Sequence, residues 1–186
     1  MTTLATYPDS GGEAIEVTRD FQTISNVMRN IGVHLERWPT RDIAEDADSG
    51  LVQAAYADEI AKLNRQYGFQ SVDVVALKPD NPQAAEYRAR FLAEHTHSDF
   101  EVRFFVDGDG LFYLHVGDKV YAIMCEKGDL ISVPANTTHW FDMGAKPDFK
   151  CIRFFVVPDG WVAEFTGNDI ASRHVSYEDY LAEHSR

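Results

Sequence analysis

The feature that most constrains this chain is a set of four potential metal ligands. His95-Thr-His97-Ser-Asp-Phe-Glu101 is followed about forty residues later by Pro134-Ala-Asn-Thr-Thr-His139. In a strand, residues two apart point to the same face, so His95 and His97 can aim two imidazoles at one point, and Glu101 and Arg103 keep that parity. Neutral imidazoles and a carboxylate suit Fe(II), Ni(II), Mn(II) or Zn(II), and three such ligands on one side leave positions for substrate. His139 closes the set from a neighbouring strand. A lone histidine in a strand is ordinarily a satisfied core or surface residue, and His115 in LFYLHVG reads that way. The grouping of four is what separates a site from scattered histidines.

A chain that gathers distant ligands needs a scaffold of paired strands. From His97 onward, short β-rich runs are punctuated by turn signals: DFEVRFFVDGDG, LFYLHVGDKV, YAIMCEKGD, LISVPANTT, HWFDMGAKPD and FKCIRFFVVPDG. Regular spacing of such runs predicts an all-β barrel or sandwich, whose mouth is a good place for a metal or a small ligand.

The first ninety residues read as mixed. Asp20 is an N-cap before FQTISNVMRNIG, where apolar residues recur at helical spacing and Gly32 can end the helix. VHLERW alternates as a short strand, a second helix is expected from about Leu51 to Tyr67 with Gly68 at its end, and SVDVVALKP has the β-branched content of a strand. NPQAAEYRARFLAE favours helix, with Pro82 near its start. In the tail, SYEDYLAE is expected as a short helix capped by Ser176. A length of 186 residues fits one domain: a helix/strand part over 1–90, a barrel core with both ligand motifs over 91–160, and a tail over 161–186.

Charge and cysteine content narrow the partners. The net charge of −13 repels phosphate backbones and anionic headgroups, which disfavours nucleic acid and membrane as partners. Cys125 and Cys151 sit in apolar stretches and read as reduced, buried thiols. No stretch of about 18 apolar residues occurs and the N-terminus has no leader pattern, so a cytoplasmic protein is expected.

EHTHSDFEVRFFVDGDG resembles the first cupin motif and GDLISVPANTTHWFDMG the second. Ala89 and Asn136 stand where those motifs carry glycine, and Met143 where the second has Asn. The likeness is closer to one family. EHTH, EVRFFV, LISVPA and THWFDMG, with IRFF, GWVAEFTG, DIAS and the earlier IGVHLERWPT, resemble the bacterial acireductone dioxygenases of methionine salvage. The resemblance covers nearly the whole chain. It implies a mainly β fold with flanking helices (α+β), a cupin double-stranded β-helix or jelly-roll barrel with the helical N-terminal half packed on it, in a monomer.

The same resemblance implies one Fe(II) or Ni(II) per chain on His95, His97, Glu101 and His139, with 1,2-dihydroxy-3-keto-5-methylthiopentene and O2 as substrates. The iron form gives formate and 4-methylthio-2-oxobutanoate. The nickel form gives formate, CO and 3-methylthiopropanoate. Arg103 is implied as the catalytic residue that stabilises the substrate dianion; its structural alternative is an ion pair with one of the many carboxylates. Glu94 is implied in metal incorporation or as a partner of a ligand imidazole, against an inert edge carboxylate. Phe100 stands where relatives often carry an acid linked to conformational transmission. Phe91, Phe104, Phe141 and Trp161, with Arg153 as a second cation, are candidate pocket walls, although strand aromatics are usually core. Two other readings stay open here: a cupin metalloenzyme, dioxygenase or isomerase, acting on a different enolisable molecule, and a cupin module that only binds.

Overall fold

The computed structural model describes residues 1–157, 160 and 162–184. Its organising element is β6 (Glu101–Val116), a 16-residue strand shared by two antiparallel sheets. The first half of β6 pairs with β8 (Asp129–Val133) and β10 (Phe149–Phe155). The second half pairs with β7 (Lys119–Glu126) and β9 (Thr138–Asp142). The sequence splits VDGDG from LFYLHV as if a turn lay between them; the backbone bends there without leaving the ladder. Gly108 has φ +71, and a Cβ on it would lie 1.9 Å from the carbonyl oxygen of Asp148. Only glycine fits that approach. The pairing with β10 is irregular beside Gly108: consecutive Lys150 and Cys151 face Asp107 and Phe105, so β6 carries one extra residue, Val106, as a bulge.

One sheet runs β2 (Glu16–Thr18), β1 (Thr3–Pro8), β7, β6, β9, β5 (His95–Thr96), β11 (Glu164–Phe165). The other runs β3 (His34–Arg37), β8, β6, β10, β4 (Ser71–Leu77). Phe105, Phe112, Ile123, Ile131, Phe141 and Cys151 fill the space between the sheets with Ile24 and Met28 of α1 (Phe21–Asn30). Alternation sends Val102, Phe104 and Val106 to the outer face of the second sheet. There they pack with Trp38 and with α2 (Ser49–Ala55) and α3 (Ala57–Tyr67) through Val52, Tyr56 and Leu63. The outer face of the first sheet is covered by Ile170 of a 3-10 turn (Ile170–Arg173) and by Tyr180 of α5 (Tyr177–His184).

Caps place the helices much as the sequence suggests. The Asp20 side chain accepts from Thr23 N, and Gly68 closes α3 in the left-handed region at φ +70. The expected single helix from Leu51 to Tyr67 is instead two, interrupted at Tyr56, which is fully buried with its hydroxyl accepting from Arg41 N. The first ninety residues also contribute four strands where two were expected: β1 and β2 join β3 and β4. α4 (Ala84–Leu92) leads directly into the ligand segment. Both cysteines are free and buried.

Candidate metal centre

Four side chains converge between the strands. His95 leaves β5 and lies opposite His139 of β9, which in turn pairs with Leu114 of β6. Glu101 is the first residue of β6. His97 lies beyond the end of β5, in the loop leading to β6, so the expectation of one continuous strand carrying both histidines is corrected. The loop still brings its imidazole in: the His97 carbonyl accepts from the backbone N–H of Asn136 at 2.8 Å. One ligand atom from each of the four residues lies within 4.8 Å of every other.

Each imidazole is oriented from behind. Nδ1 of His95 is 2.7 Å from the Ala93 carbonyl, Nδ1 of His97 is 3.0 Å from that of Val162, and Nδ1 of His139 is 2.8 Å from that of Thr137. A carbonyl can only accept, so each Nδ1 carries the proton, and in the neutral ring each Nε2 is left with a lone pair. Nε2 of His139 nonetheless sits 2.7 Å from Oε2 of Glu101, and Nε2 of His97 sits 3.3 Å from it. Lone pairs facing a carboxylate at that range need a cation between them, and three Nε2 atoms with one carboxylate are a donor set for a divalent transition metal. The residues therefore fit the ion that the sequence pattern implies.

The local electrostatics act in the same sense. Burial alone would raise the Glu101 carboxyl, but the Arg103 charge and then His139 hold it well below the ordinary carboxylate range. Burial, then the neighbouring His139, pushes His95 down to about 4, which keeps it neutral. Nε of Arg103 is 2.5 Å from Oε1 of Glu101. Its N–H is not aimed along that contact and finds no hydrogen-bond acceptor, so charge rather than a hydrogen bond holds the pair. The guanidinium carbon lies 5.4, 5.7 and 6.0 Å from the ring centres of Phe141, Phe112 and Phe91, within cation–π range.

Residues 7–163 match the model of the ARD/ARD' family. The chain belongs to that family. It is 57% identical over 182 residues to an acireductone dioxygenase of Methylococcus capsulatus, covering 97% of this chain and 98% of the relative. It is 52% identical to that of Aquifex aeolicus, covering 97% and 99%. The solved acireductone dioxygenase of Bacillus anthracis, which has a cadmium ion in its active centre, superposes with a TM-score of 0.77 at 28% identity over 89% of this chain and 98% of that one. The cupin fold expected for an ARD/ARD' chain is thereby shown.

Above the four ligands of this ARD/ARD' chain opens a cavity of about 430 Å³. Phe91, Phe100, Arg103, Phe141 and Arg153 line it, as do Tyr87, Arg90, Phe155, Val162 and Phe165, which were not among the residues expected there. Part of that set was findable: Tyr87, Arg90 and Phe91 stand at i, i+3 and i+4 on α4 and share one helix face. Phe104 is a correction. It lies on the opposite side of β6, packed against Trp38 and Tyr56 at centroid distances of 4.6 and 4.8 Å, because strand alternation separates it from Arg103. Trp161 lies outside the described residues. Arg153 lines the cavity, but Asp73 takes its guanidinium at 2.9 and 2.6 Å, which largely cancels its charge.

Glu94 is buried and turned away from the ligands. Its Oε1 meets Nδ1 of His115 at 2.8 Å, and its Oε2 accepts from the Thr166 hydroxyl at 2.5 Å. It touches no ligand imidazole, which corrects that part of the expectation. Instead it fastens the residue just before β5 to β6 and to the chain just after β11.

Proposed function

We propose that the chain is an acireductone dioxygenase that works with one divalent ion, Fe(II) or Ni(II), on His95, His97, Glu101 and His139. The reading rests on family membership, and the observation that carries it is a cationic Arg103 beside a four-ligand cluster at the floor of a cavity walled in part by aromatic side chains. The bound ion supplies Lewis acidity toward the neighbouring oxygens of an enediol.

The protein's own residues do the rest. Arg103 stabilises the anionic enediolate next to the ligands, where its charge acts in a low-dielectric surround. Glu101, held ionised, limits the net positive charge of the centre and keeps Arg103 pointed at it. Phe91, Phe141 and Phe155 form an apolar slot for a methylthioethyl tail and exclude water from the reacting carbons. Phe100 is an additional wall, and with no ionisable group at that position conformational transmission is not assigned to it. Glu94 supports metal incorporation by holding β5 in place through His115 and Thr166. The substrate 1,2-dihydroxy-3-keto-5-methylthiopentene and O2 are converted to formate and 4-methylthio-2-oxobutanoate with iron, or to formate, CO and 3-methylthiopropanoate with nickel. The free, buried cysteines and the net charge of −13 support a soluble monomer of the cytoplasm.

The test is to strip the protein, reload it separately with Fe(II) and Ni(II), and follow oxygen uptake with a synthetic acireductone while identifying products, with His139→Ala as control. Fast oxygen-dependent loss of substrate with metal-specific products supports the assignment. One equivalent of bound metal with no rate above the buffer reaction would instead point to a different enolisable substrate.

A further inference from the structure

His97 is the one ligand outside regular secondary structure, and what holds its ring is a carbonyl from a distant part of the chain. Val162 belongs to the segment that follows β10, and its C=O receives Nδ1 of His97 at 3.0 Å. That segment is itself held by a residue the sequence gives no reason to single out. Asp99, only 6% exposed, lies two positions after His97. Its Oδ2 accepts the backbone N–H groups of Val156 at 2.6 Å and Val157 at 3.0 Å, while its Oδ1 accepts that of Phe100 at 2.7 Å. Gly160 is seated against the same carboxylate: a Cβ there would stand 2.6 Å from Asp99 Cβ and 2.7 Å from Oδ2.

We propose that Asp99 is a positioning residue of the metal centre. By taking the N–H groups of Val156 and Val157 and seating Gly160, it fixes the chain that carries the Val162 carbonyl to His97. A buried carboxylate is an unusual choice for a merely local turn, since it must be desolvated, and three N–H donors offset that cost. The geometry explains why one residue does both jobs. Oδ1 caps the loop that brings Phe100 to the cavity wall, and Oδ2 holds the segment just after β10, so His97 is gripped between two segments that share one anchor. The Val162 carbonyl fixes which ring nitrogen of His97 carries the proton, and a partner of this kind sets both ligand orientation and basicity.

The inference rests on the metal centre and not on the substrate assigned to it, so the test is read on metal binding. Apo-protein is titrated with Co(II) against a competing chelator, and the visible spectrum of the Co(II) form is recorded for wild type, Asp99→Asn, Gly160→Ala and Asp129→Asn. Asp129 is the control: it is buried and accepts a backbone N–H from Glu126, but at the start of β8. Asp99→Asn is expected to weaken Co(II) binding by about tenfold and to alter the Co(II) spectrum. Gly160→Ala, which perturbs the same contact from the other side without touching a charge, is expected to do likewise. Asp129→Asn is expected to lower thermal stability and leave both readouts unchanged. Unchanged Co(II) affinity and spectrum in Gly160→Ala, or effects in Asp129→Asn as large as in Asp99→Asn, would overturn the proposal. Loss of acireductone turnover plays no part in either outcome.

Discussion

Asn136 donates its backbone N–H to the carbonyl of His97 across 2.8 Å, and so fastens the loop before β9 to the loop before β6 at a ligand residue. Asn136 is the one non-glycine residue with positive φ among the described residues, at +62. It occupies the position where the general cupin motif has glycine, and asparagine is among the side chains that tolerate the left-handed region.

Asn136→Gly is therefore expected to be close to neutral, and Asn136→Val to cost about 1–2 kcal/mol through the left-handed backbone alone. Urea denaturation of the two variants checks this, with equal midpoints counting against it.

Arg103 is paired with Glu101 and ringed by three phenylalanines, and the predicted effect of its loss is on turnover. Arg103→Ala should lower kcat about 100-fold, the scale of a lost electrostatic stabiliser, and keep one equivalent of metal. Arg103→Lys should recover part of the rate, because a point charge replaces a planar fork. Metal analysis beside oxygen uptake separates the cases; loss of metal in Arg103→Ala would make the residue structural.

Phe104 and Phe141 belong to opposite sides of the sheets and should respond differently. Phe104→Ala, emptying a space against Trp38 and Tyr56, is expected to cost about 3–5 kcal/mol of stability with KM unchanged. Phe141→Ala is expected to raise KM as well. A raised KM in Phe104→Ala would contradict the placement.

The pH dependence of the metal-free protein follows from His95. Its folded value of about 4 lies below the ordinary 6.5, so the unfolded chain binds that proton more tightly. Stability should fall as pH drops from about 6.5 to about 4. Glu101, held low despite burial by Arg103 and His139, adds a loss that continues below the ordinary carboxylate range. His97 runs the other way: burial opposes its charge, but Glu101 raises it overall, so its contribution is complete below 6.5 and is lost as pH rises through its folded value. Urea midpoints at stepped pH values test the sum, and a flat profile between 6.5 and 4 would contradict it.

The HxHxxxE ligands and the helix caps were legible because they are local. HxHxxxE keeps its spacing whatever the loop does, and Asp20 caps α1 through its own next turn. The N-terminal strand was not legible. β1 is buried along Thr3–Tyr7, between the sheet interior and the cover provided by α5, so TLATYP shows no apolar–polar alternation. The break at Tyr56 was hidden because a buried tyrosine continues a helical pattern. Phe104 was misplaced for lack of the register that tells one side of β6 from the other. Asp99 left no sequence signal, because its partners are backbone N–H groups nearly sixty residues away.

The shared strand β6 also sets when the centre can exist. Glu101 at its start faces His139, whose strand joins the opposite sheet, so no single hairpin contains the site. A nascent chain that has delivered residues 95–101 holds three of the four donors without the geometry to use them. Competent binding waits until β9 has docked, a long-range pairing of the kind that forms late. Full four-ligand coordination is thus expected to report on completed folding.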